Sequence, residues 1–328
     1  MAHEIPPSVL IVTLGTTTGW GSSARELTDA FARAGARARL IGTGPARPVR
    51  TFMLTDFAQA WVARRVAERG IARFSPDAVV YCSITAALLW PLPGAIWLDS
   101  VAAENRPGRH GLWQRVVEQR RLHAAPLVLT MAEDSLQGLG AQTRPSAITV
   151  PVPVSPSGSP AEVRDIDVLA YAGDPEKRRL DHILETWARA RREGETLVVA
   201  GIERDSSPAG VRFTGRLAPE SYRALVRRAR VFVAAPRRED YGIAPLEALA
   251  DGCLLVSTPA PGAYPALRLA RSLDPRLVSE DLAPALRAAL DDPLPGYARR
   301  AAELLEPFSR AAVDRTVAER VLPRLLAR

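Results

Sequence analysis

The sequence has 328 residues, 47% of them hydrophobic and 24% charged, a composition that excludes a disordered chain and suggests two globular domains. Its two cysteines, Cys82 and Cys253, are too few for a disulfide framework or a cysteine-rich zinc site. The formal net charge is +7, and the excess lies mostly in residues 1–150. This charge indicates either a solvated arginine-rich surface or an anionic partner.

The first half of the chain alternates apolar runs with amphipathic segments, which predicts a parallel sheet covered by helices on both faces. The predicted strands are Val9–Leu14, Ala38–Gly42, Asp77–Cys82, Ala95–Leu98 and Leu127–Met131. The predicted helices run from about Ala24 to Arg33, from Phe52 to Arg73 and from Leu112 to His123. Ser23 and Glu26 have the spacing of a capping box at the start of the first helix.

One uncharged stretch, from Ala78 to Leu98, is long enough to be considered as a membrane span. Pro91, Pro93 and Gly94 fit poorly with a continuous helix in lipid, so the stretch predicts two buried strands around a loop. The first residues, MAHEIPPS, lack the basic region of a signal peptide. We therefore expect a cytoplasmic protein without a transmembrane segment.

The second half repeats the α/β alternation after a segment rich in proline and serine. We predict a first domain over residues 1–150, a linker over 151–164 and a second domain over 165–328, with the last helix packing back on the first domain. The predicted strands are Val168–Tyr171, Thr196–Ala200, Val211–Thr214, Val231–Ala234 and Leu254–Ser257. The predicted helices are about Arg179–Arg191, Glu220–Arg230 and Ala244–Ala250, followed by a helical tail. A cleft between two such domains is the usual ligand site.

The segment from Val231 to Ser257 suggests a ligand class by its residue types. The backbone N–H groups of Gly242, Ile243 and Ala244 precede or open a helix, an arrangement that suits a phosphate. The carboxylates Glu239 and Glu247 would repel a phosphate but accept hydrogen bonds from hydroxyl groups. Together these groups suggest a sugar nucleotide. Alternatively, Glu247 only complements the helix dipole and Glu239 is an ordinary loop acid.

Glu239 and Glu247 form an E-x7-E pattern within EDYGIAPLEALADG, which resembles the signature of family 4 glycosyltransferases. The segments VFVAAP, CLLVSTPAPGAYP, GVRFTGRLAPESYRALVRRA and AGDPEKRRLDHILETWARA also resemble that family. The match covers roughly residues 165–265 and is only architectural over the first 150. It implies the B-type glycosyltransferase fold, an α/β fold of two Rossmann-like domains that face each other across a cleft.

The resemblance assigns roles to the matching positions. Glu247 would bind the nucleotide ribose, and Glu239 would contact the hydroxyls of the donor sugar. The loop along the base would be Gly215, Arg216 and Leu217. Lys177 would bind the donor diphosphate, and it is the only lysine among 43 basic residues. A lysine at this position would stabilise the charge that grows on the leaving phosphate.

Two departures from the family pattern affect the predicted site. The family usually has an arginine after a glycine shortly before the lysine, but here Gly173 is followed by Asp174. Arg178, Arg179 or Arg216 is a candidate substitute, although the first two also fit a solvated helix start.

The second departure concerns the first domain, where the family often has a histidine after a strand. The strand AIWL here runs into Asp99, which is either an acceptor-side catalytic group or a structural aspartate at a strand end.

Gly19 and Gly21 begin a G-x-G-x-x-A pattern after the first predicted strand, which suggests an NAD(P)-dependent oxidoreductase as an alternative function. No acid follows the second strand to bind a ribose, but Arg47 or Arg50 would suit NADP. In the glycosyltransferase interpretation this loop lies near the acceptor or a phosphate. A third hypothesis is a non-catalytic, glycosyltransferase-like binding subunit.

We therefore predict an enzyme that moves a sugar from a nucleotide-sugar donor to an acceptor hydroxyl, by resemblance with retention of anomeric configuration. No metal and no other cofactor are expected. Residues 106–121 hold five arginines near Leu112 and Trp113. This composition suggests that the segment contacts an anionic membrane surface, at the inner face of the membrane. Alternatively, the segment is a solvated helix. Nucleic acid is not expected as a partner, because the arginines alternate with acids and lack aromatic spacing.

Overall fold

The computed structural model describes residues 5–15, 18–44, 52–159, 161 and 163–327. The chain forms two compact units: unit 1 contains residues 1–153 and 310–328, and unit 2 contains residues 154–309. The segment 154–164, predicted as part of a linker, thus belongs to unit 2. The C-terminal segment 310–328, predicted within the second domain, belongs to unit 1.

Unit 1 is built on a six-stranded parallel sheet in the order β2-β1-β3-β4-β5-β6. Its strands are β1 (Ser8–Thr13), β2 (Arg37–Gly42), β3 (Ala78–Cys82), β4 (Ala95–Leu98), β5 (Val128–Thr130) and β6 (Ala147–Thr149). Every residue of β1 and β3 is buried, as expected for a parallel sheet with helices on both faces. The uncharged stretch therefore supplies β3 and β4. No helix among the described residues is long and apolar enough to cross a bilayer.

The helices between these strands cover both faces of the sheet. They are α1 (Thr18–Arg33), α2 (Phe52–Phe74), α3 (Ile84–Ala87), α4 (Ala102–Asn105) and α5 (Leu112–Ala124). Ala60 and Ala63 of α2 and Leu122 of α5 belong to one core with Leu10 and Val79 of the sheet. Because parallel strands connect in the right-handed sense, α1 lies on the opposite face.

Helix α1 begins earlier than the sequence predicted. It starts at Thr18 rather than at Ala24, so Gly19 and Gly21 are helical and the loop assignment for them is wrong. The Ser23 hydroxyl donates to the carbonyl oxygen of Gly19 at 2.9 Å, four residues back. Ser23 therefore lies inside the helix, and the predicted capping box is also wrong.

The proline-rich segment contains a strand that the sequence did not predict. Strand β6 pairs only with β5 and forms the edge of the sheet, a position that tolerates nearby prolines. Ile148 buries its side chain there. Directly after the strand, the Trp97 Nε1–H donates to the carbonyl oxygen of Val150 at 2.9 Å, which fixes the segment to unit 1.

Glu118 of α5 is a buried carboxylate, with 1% of its surface exposed. Both of its oxygens accept from the Ala102 N–H, at 3.0 and 2.8 Å, and so cap the start of α4. Burial raises the pKa of Glu118 to about 7, although the Ala102 hydrogen bond and the charge of Arg106 oppose this rise.

We expect Glu118 to make the protein less stable as pH rises from about 4.5 to about 7. Over this range the native state holds a proton that the unfolded chain has already lost. The stability of the wild type should therefore fall relative to that of Glu118→Gln, which cannot ionise. Urea titrations of both proteins at the two pH values measure this difference. A stability difference that stays constant between them would contradict the expectation.

Unit 2 is built on a five-stranded parallel sheet in the order β11-β10-β7-β8-β9. The strands are β7 (Ile166–Tyr171), β8 (Leu197–Ala200), β9 (Val211–Phe213), β10 (Ala229–Ala234) and β11 (Leu254–Ser257). The helices are α6 (Leu180–Ala190), α7 (Pro219–Arg228), α8 (Ile243–Ala250), α9 (Pro265–Leu273), α10 (Leu282–Asp291) and α11 (Tyr297–Leu304). The sequence did not predict α9, which follows a proline- and glycine-rich turn.

The C-terminal segment returns to unit 1 as α12 (Arg310–Thr316), a π-helical stretch (Val317–Val321) and α13 (Leu322–Leu326). Two ion pairs hold α12 against α1: Arg310 with Glu26 and Arg33 with Asp314, each at 2.6 Å. The described part of each unit is thus an α/β fold of the Rossmann type, which confirms the predicted fold class.

Candidate functional site

The candidate site of unit 2 lies where β7 and β10 end. Strand β7 is central, and the connections from it run to β8 on one side and, through later strands, to β10 on the other. In open α/β sheets, ligands bind at such a reversal of strand order, outside the carboxyl ends of the strands. Two loops meet at this edge: residues 172–179 after β7 and residues 235–242 after β10.

Hydrogen bonds hold these two loops together around Lys177. The Lys177 N–H donates to Oδ1 of Asp174 at 3.0 Å, so the aspartate shapes the turn that presents the lysine. The Lys177 carbonyl oxygen accepts from the Arg237 N–H at 3.0 Å, and Nε of Arg237 donates to the Glu176 carbonyl oxygen at 3.2 Å. The lysine is therefore presented from a fixed backbone.

Glu239 is the acid of this cluster, and only 5% of its surface is exposed. Its Oε2 forms an ion pair with Nη1 of Arg178, and its Oε1 lies 3.8 Å from Nζ of Lys177. Burial lowers the pKa of the Arg178 guanidinium, which nevertheless stays protonated. The structure thus brings together three of the predicted site residues, with two positive charges for one negative charge.

Two glycines leave space for the backbone around Glu239. A Cβ atom on Gly262, which has φ +109°, would collide with the Glu239 carbonyl oxygen. A Cβ atom on Gly242, which has φ +81°, would lie 2.9 Å from the ring of Tyr264 and 3.1 Å from Cγ of Glu239. A larger residue would displace the Glu239 backbone at Gly262 and would crowd the Glu239 side chain at Gly242.

Glu247 lies in α8 and belongs to a second charged cluster. Its Oε1 accepts from Nη1 of Arg223 at 3.1 Å, and Nε of Arg223 donates to Oδ2 of Asp251 at 2.9 Å. Burial raises the pKa of Glu247, Arg223 lowers it, and the negative charge of Asp251 raises it. The arginine thus helps to keep Glu247 ionised and able to accept hydrogen bonds.

The other predicted donor-side residues surround these clusters. Ile243 and Ala244 open α8, and Gly242 supplies no side-chain cap for that helix. Gly215, with φ +68°, donates its N–H to the Ile202 carbonyl oxygen at 3.0 Å. Of the next two residues, Arg216 is exposed and Leu217 is half-buried.

Arg178 and Arg179 do not form a solvated helix start, which corrects that part of the sequence interpretation. Arg178 pairs with the buried Glu239. Arg179 donates from Nε to the Ala235 carbonyl oxygen and from Nη2 to Oγ1 of Thr258, both at 2.8 Å. Arg178 is therefore the arginine that lies beside Lys177 and the carboxylate.

The remaining predicted residues lie in unit 1. Asp99 follows the last residue of β4 and is half-buried. The neighbouring Ser100 hydroxyl accepts from Nδ2 of Asn105 at 2.7 Å. Gly19 and Gly21 lie in the first turns of α1, and the glycine with positive φ after β1 is Gly15. The described residues hold no group of three or more His, Cys, Asp or Glu side chains suited to a metal ion.

The sequence did not predict Arg223 and Asp251 as parts of the candidate site. Asp251 closes α8 and also accepts from the Ser157 N–H at 2.7 Å. An acid three residues before the first residue of β11 gives no signal of such a role, and Arg223 is one of 42 arginines. The Tyr222 hydroxyl is also buried here, and it has no hydrogen-bond partner among the described residues.

Part of unit 2 matches a known protein family. Residues 166–292 match the family model described as "Glycosyl transferases group 1". The match covers most of unit 2 and includes the residues that carry the family resemblance. No curated protein sequence matches the chain.

Three solved structures are similar in fold to most of the chain. Sucrose-phosphate synthase from Thermosynechococcus elongatus is similar with a TM-score of 0.72 and 15% identity, covering 94% of this chain and 96% of that one. WaaG, a glycosyltransferase involved in lipopolysaccharide biosynthesis, has a TM-score of 0.68 and 13% identity, covering 96% of this chain and 99% of that one. Trehalose 6-phosphate synthase from Burkholderia multivorans has a TM-score of 0.63 and 12% identity, covering 95% of this chain and 97% of that one.

Proposed function

We propose that this protein transfers a glycosyl group from a nucleotide-activated sugar to an acceptor hydroxyl. The observation that carries the proposal is the cluster at the carboxyl ends of β7 and β10, where Lys177 and Arg178 meet the buried Glu239. This cluster lies inside the glycosyl transferase group 1 match. Its excess positive charge suits the diphosphate of a nucleotide sugar.

Each part of the donor has a proposed binding group. Lys177 and Arg178 bind the diphosphate, next to the N–H groups of Ile243 and Ala244 that open α8. The carboxylate of Glu247 accepts hydrogen bonds from the ribose hydroxyls, and Arg223 keeps it oriented. The loop of Gly215, Arg216 and Leu217 borders the base.

The proposed reaction retains the anomeric configuration of the sugar. The acceptor oxygen attacks C1 on the face from which the phosphate leaves, through an oxocarbenium-like state. The bond from C1 to the phosphate oxygen breaks, the bond from C1 to the acceptor oxygen forms, and the hydroxyl proton moves to the leaving phosphate. Lys177 and Arg178 stabilise the charge that develops on this phosphate. Glu239 holds both cations and borders the sugar.

On the acceptor side we propose Asp99, which leaves β4 at the carboxyl edge of the unit 1 sheet. Its half-buried carboxylate suits a hydrogen bond to an acceptor hydroxyl. Gly19 and Gly21 lie at the same edge, but in the first turns of a helix rather than in a loop.

The structure favours this proposal over its two alternatives. In the dinucleotide fingerprint, glycines form the turn between strand and helix, whereas Gly19 and Gly21 lie within α1. Arg47 and Arg50, the candidate NADP ligands, lie outside the described residues. A non-catalytic subunit is disfavoured because Arg178 supplies a cation beside Lys177 despite the departure at Asp174.

A thermal-shift panel of UDP, GDP, dTDP and ADP sugars, with NADPH as a further arm, tests the proposal. A ligand that binds only the native state at about 100 times its Kd adds about 2.7 kcal/mol of stability. We expect sugars of one nucleotide class to raise the melting temperature. Stabilisation by NADPH alone would instead support the oxidoreductase.

A further inference from the structure

Unit 1 exposes large apolar side chains on the outer faces of α2 and α5. We call these residues the α2–α5 patch: Leu54, Phe57, Trp61, Leu112 and Val116, each 47–55% exposed. In both helices the exposed residues are three or four apart, as in Phe57 and Trp61 or Leu112 and Val116, so those of each helix share one outer face. The opposite face of α2 buries Ala60 and Ala63 in the core. The apolar side chains are therefore not part of the packing of unit 1.

One aromatic contact links α2 to α5 beside the patch. The ring of Phe57 lies edge-on to that of Trp113, with their centroids 6.0 Å apart. Nearby, Nε of Arg106 lies 2.7 Å from the Asp56 carboxylate, which is buried. The salt bridge and the aromatic pair fix the relative position of α2 and of the segment that leads into α5.

The charged groups around the patch are mostly positive, because the acids of these helices are buried or paired. Asp56 binds Arg106, Glu118 lies in the interior, and Glu68 pairs with Arg64 at 2.8 Å. The guanidinium of Arg65 lies 5.1 Å from the ring centroid of Trp61.

Only some arginines of the basic segment 106–121 face solvent, so only these can bind an anionic partner. Arg106 is paired, Arg115 donates to the Gly108 carbonyl oxygen at 3.0 Å, and Arg121 donates to that of Leu88 at 2.9 Å. The exposed arginines of the segment are Arg109 and Arg120. They flank the exposed Leu112 and Val116 along the chain.

The patch lies toward the carboxyl edge of the unit 1 sheet. The chain enters α2 and α5 after leaving the carboxyl ends of β2 and β4, so the first turns of both helices are near that edge. Leu54, Phe57 and Leu112 lie in these first turns. Asp99 leaves β4 at the same edge.

We propose that the α2–α5 patch docks unit 1 on the surface of an anionic lipid bilayer. The apolar side chains enter the boundary between headgroups and acyl chains, and Arg65, Arg109 and Arg120 bind headgroup phosphates. A second copy of the chain fits less well, because a two-fold interface would bury the same basic surface on both copies and bring like charges together. The docking does not depend on the proposed transfer reaction.

Vesicle flotation of the full chain tests the proposal. We expect binding to phosphatidylcholine vesicles that contain phosphatidylglycerol, little binding to phosphatidylcholine alone, and weaker binding at high salt. The double variant Arg109→Glu/Arg120→Glu should bind anionic vesicles about tenfold or more weakly. The matched control Arg320→Glu/Arg324→Glu changes two exposed arginines elsewhere in unit 1 and should bind like the wild type.

The apolar part of the patch has its own variants. Trp61→Ser/Leu112→Ser should lose vesicle binding, whereas Val163→Ser/Leu304→Ser, which changes exposed apolar residues of unit 2, should retain it. Equal binding to neutral and anionic vesicles, or equal losses in variants and controls, would overturn the proposal. A dimer in sedimentation velocity that Trp61→Ser/Leu112→Ser abolishes would also overturn it and assign the patch to a second copy.

Discussion

Lys177→Ala should lower kcat for the donor by about 10²–10³, the loss expected when one preorganised electrostatic donor is removed. The ammonium group should interact more strongly with the phosphate as the glycosidic bond breaks, so kcat should fall more than the donor KM rises. The lysine side chain is 46% exposed, and its backbone contacts do not involve that side chain. The variant should therefore fold normally, and steady-state kinetics with the donor identified by the ligand panel measure the effect.

Lys177→Arg is the more specific substitution at this position. The guanidinium keeps the charge but is larger and planar, so it should restore only part of the rate. Arg189→Ala, which removes an exposed positive charge from α6 of the same unit, is the matched control and should leave kcat unchanged. If both Lys177 variants turn over the donor at the wild-type rate, Lys177 does not bind the leaving diphosphate.

Glu239→Ala should lower the free energy of unfolding of unit 2 by about 3 kcal/mol, because it leaves Arg178 largely buried without its carboxylate. Glu239→Gln should cost less, since its amide oxygen still accepts a hydrogen bond. Removing both partners in Arg178→Ala/Glu239→Ala should cost less than the sum of the single variants. Urea titration followed by hydrogen exchange of the peptides around β10 and α8 measures these differences.

Glu303→Ala is the control for this series, because its pair with Arg299 is exposed and should contribute about 0–1 kcal/mol. A loss for Glu239→Ala as small as that for Glu303→Ala would show that the pair at the site is not structural. Additive single variants would show that Arg178 and Glu239 do not interact energetically.

The sequence predicted the parts of this structure that depend on local pattern. Buried parallel strands are continuous apolar runs, which is why the sequence predicts β1, β3 and β10. The spacing of Glu239 and Glu247 predicts the candidate site. Edge strand β6 lacked this signal, because it has one neighbour and lies among prolines. Helix α1 begins in a stretch with two glycines and little apolar periodicity, so its start was placed six residues late.

The partners of the two glutamates could not be predicted from local pattern. Arg178 and Arg223 meet Glu239 and Glu247 only after strands from different parts of unit 2 assemble into one sheet. In a chain with 42 arginines among its 43 basic residues, no single arginine is distinctive, whereas the one lysine is. A pairing of similarly long range joins Arg310 of the C-terminal segment to Glu26, and both residues belong to unit 1.

Titration calorimetry with the matching nucleoside diphosphate tests most directly whether unit 2 binds a nucleotide sugar through Glu247. We expect Glu247→Ala to weaken binding by about 1.5–3 kcal/mol, roughly 10- to 150-fold in Kd, because the ribose hydroxyls lose a charged acceptor. Glu220→Ala, which removes an exposed acid from α7, should bind like the wild type. Unchanged affinity in a folded Glu247→Ala protein would contradict the assignment of this site.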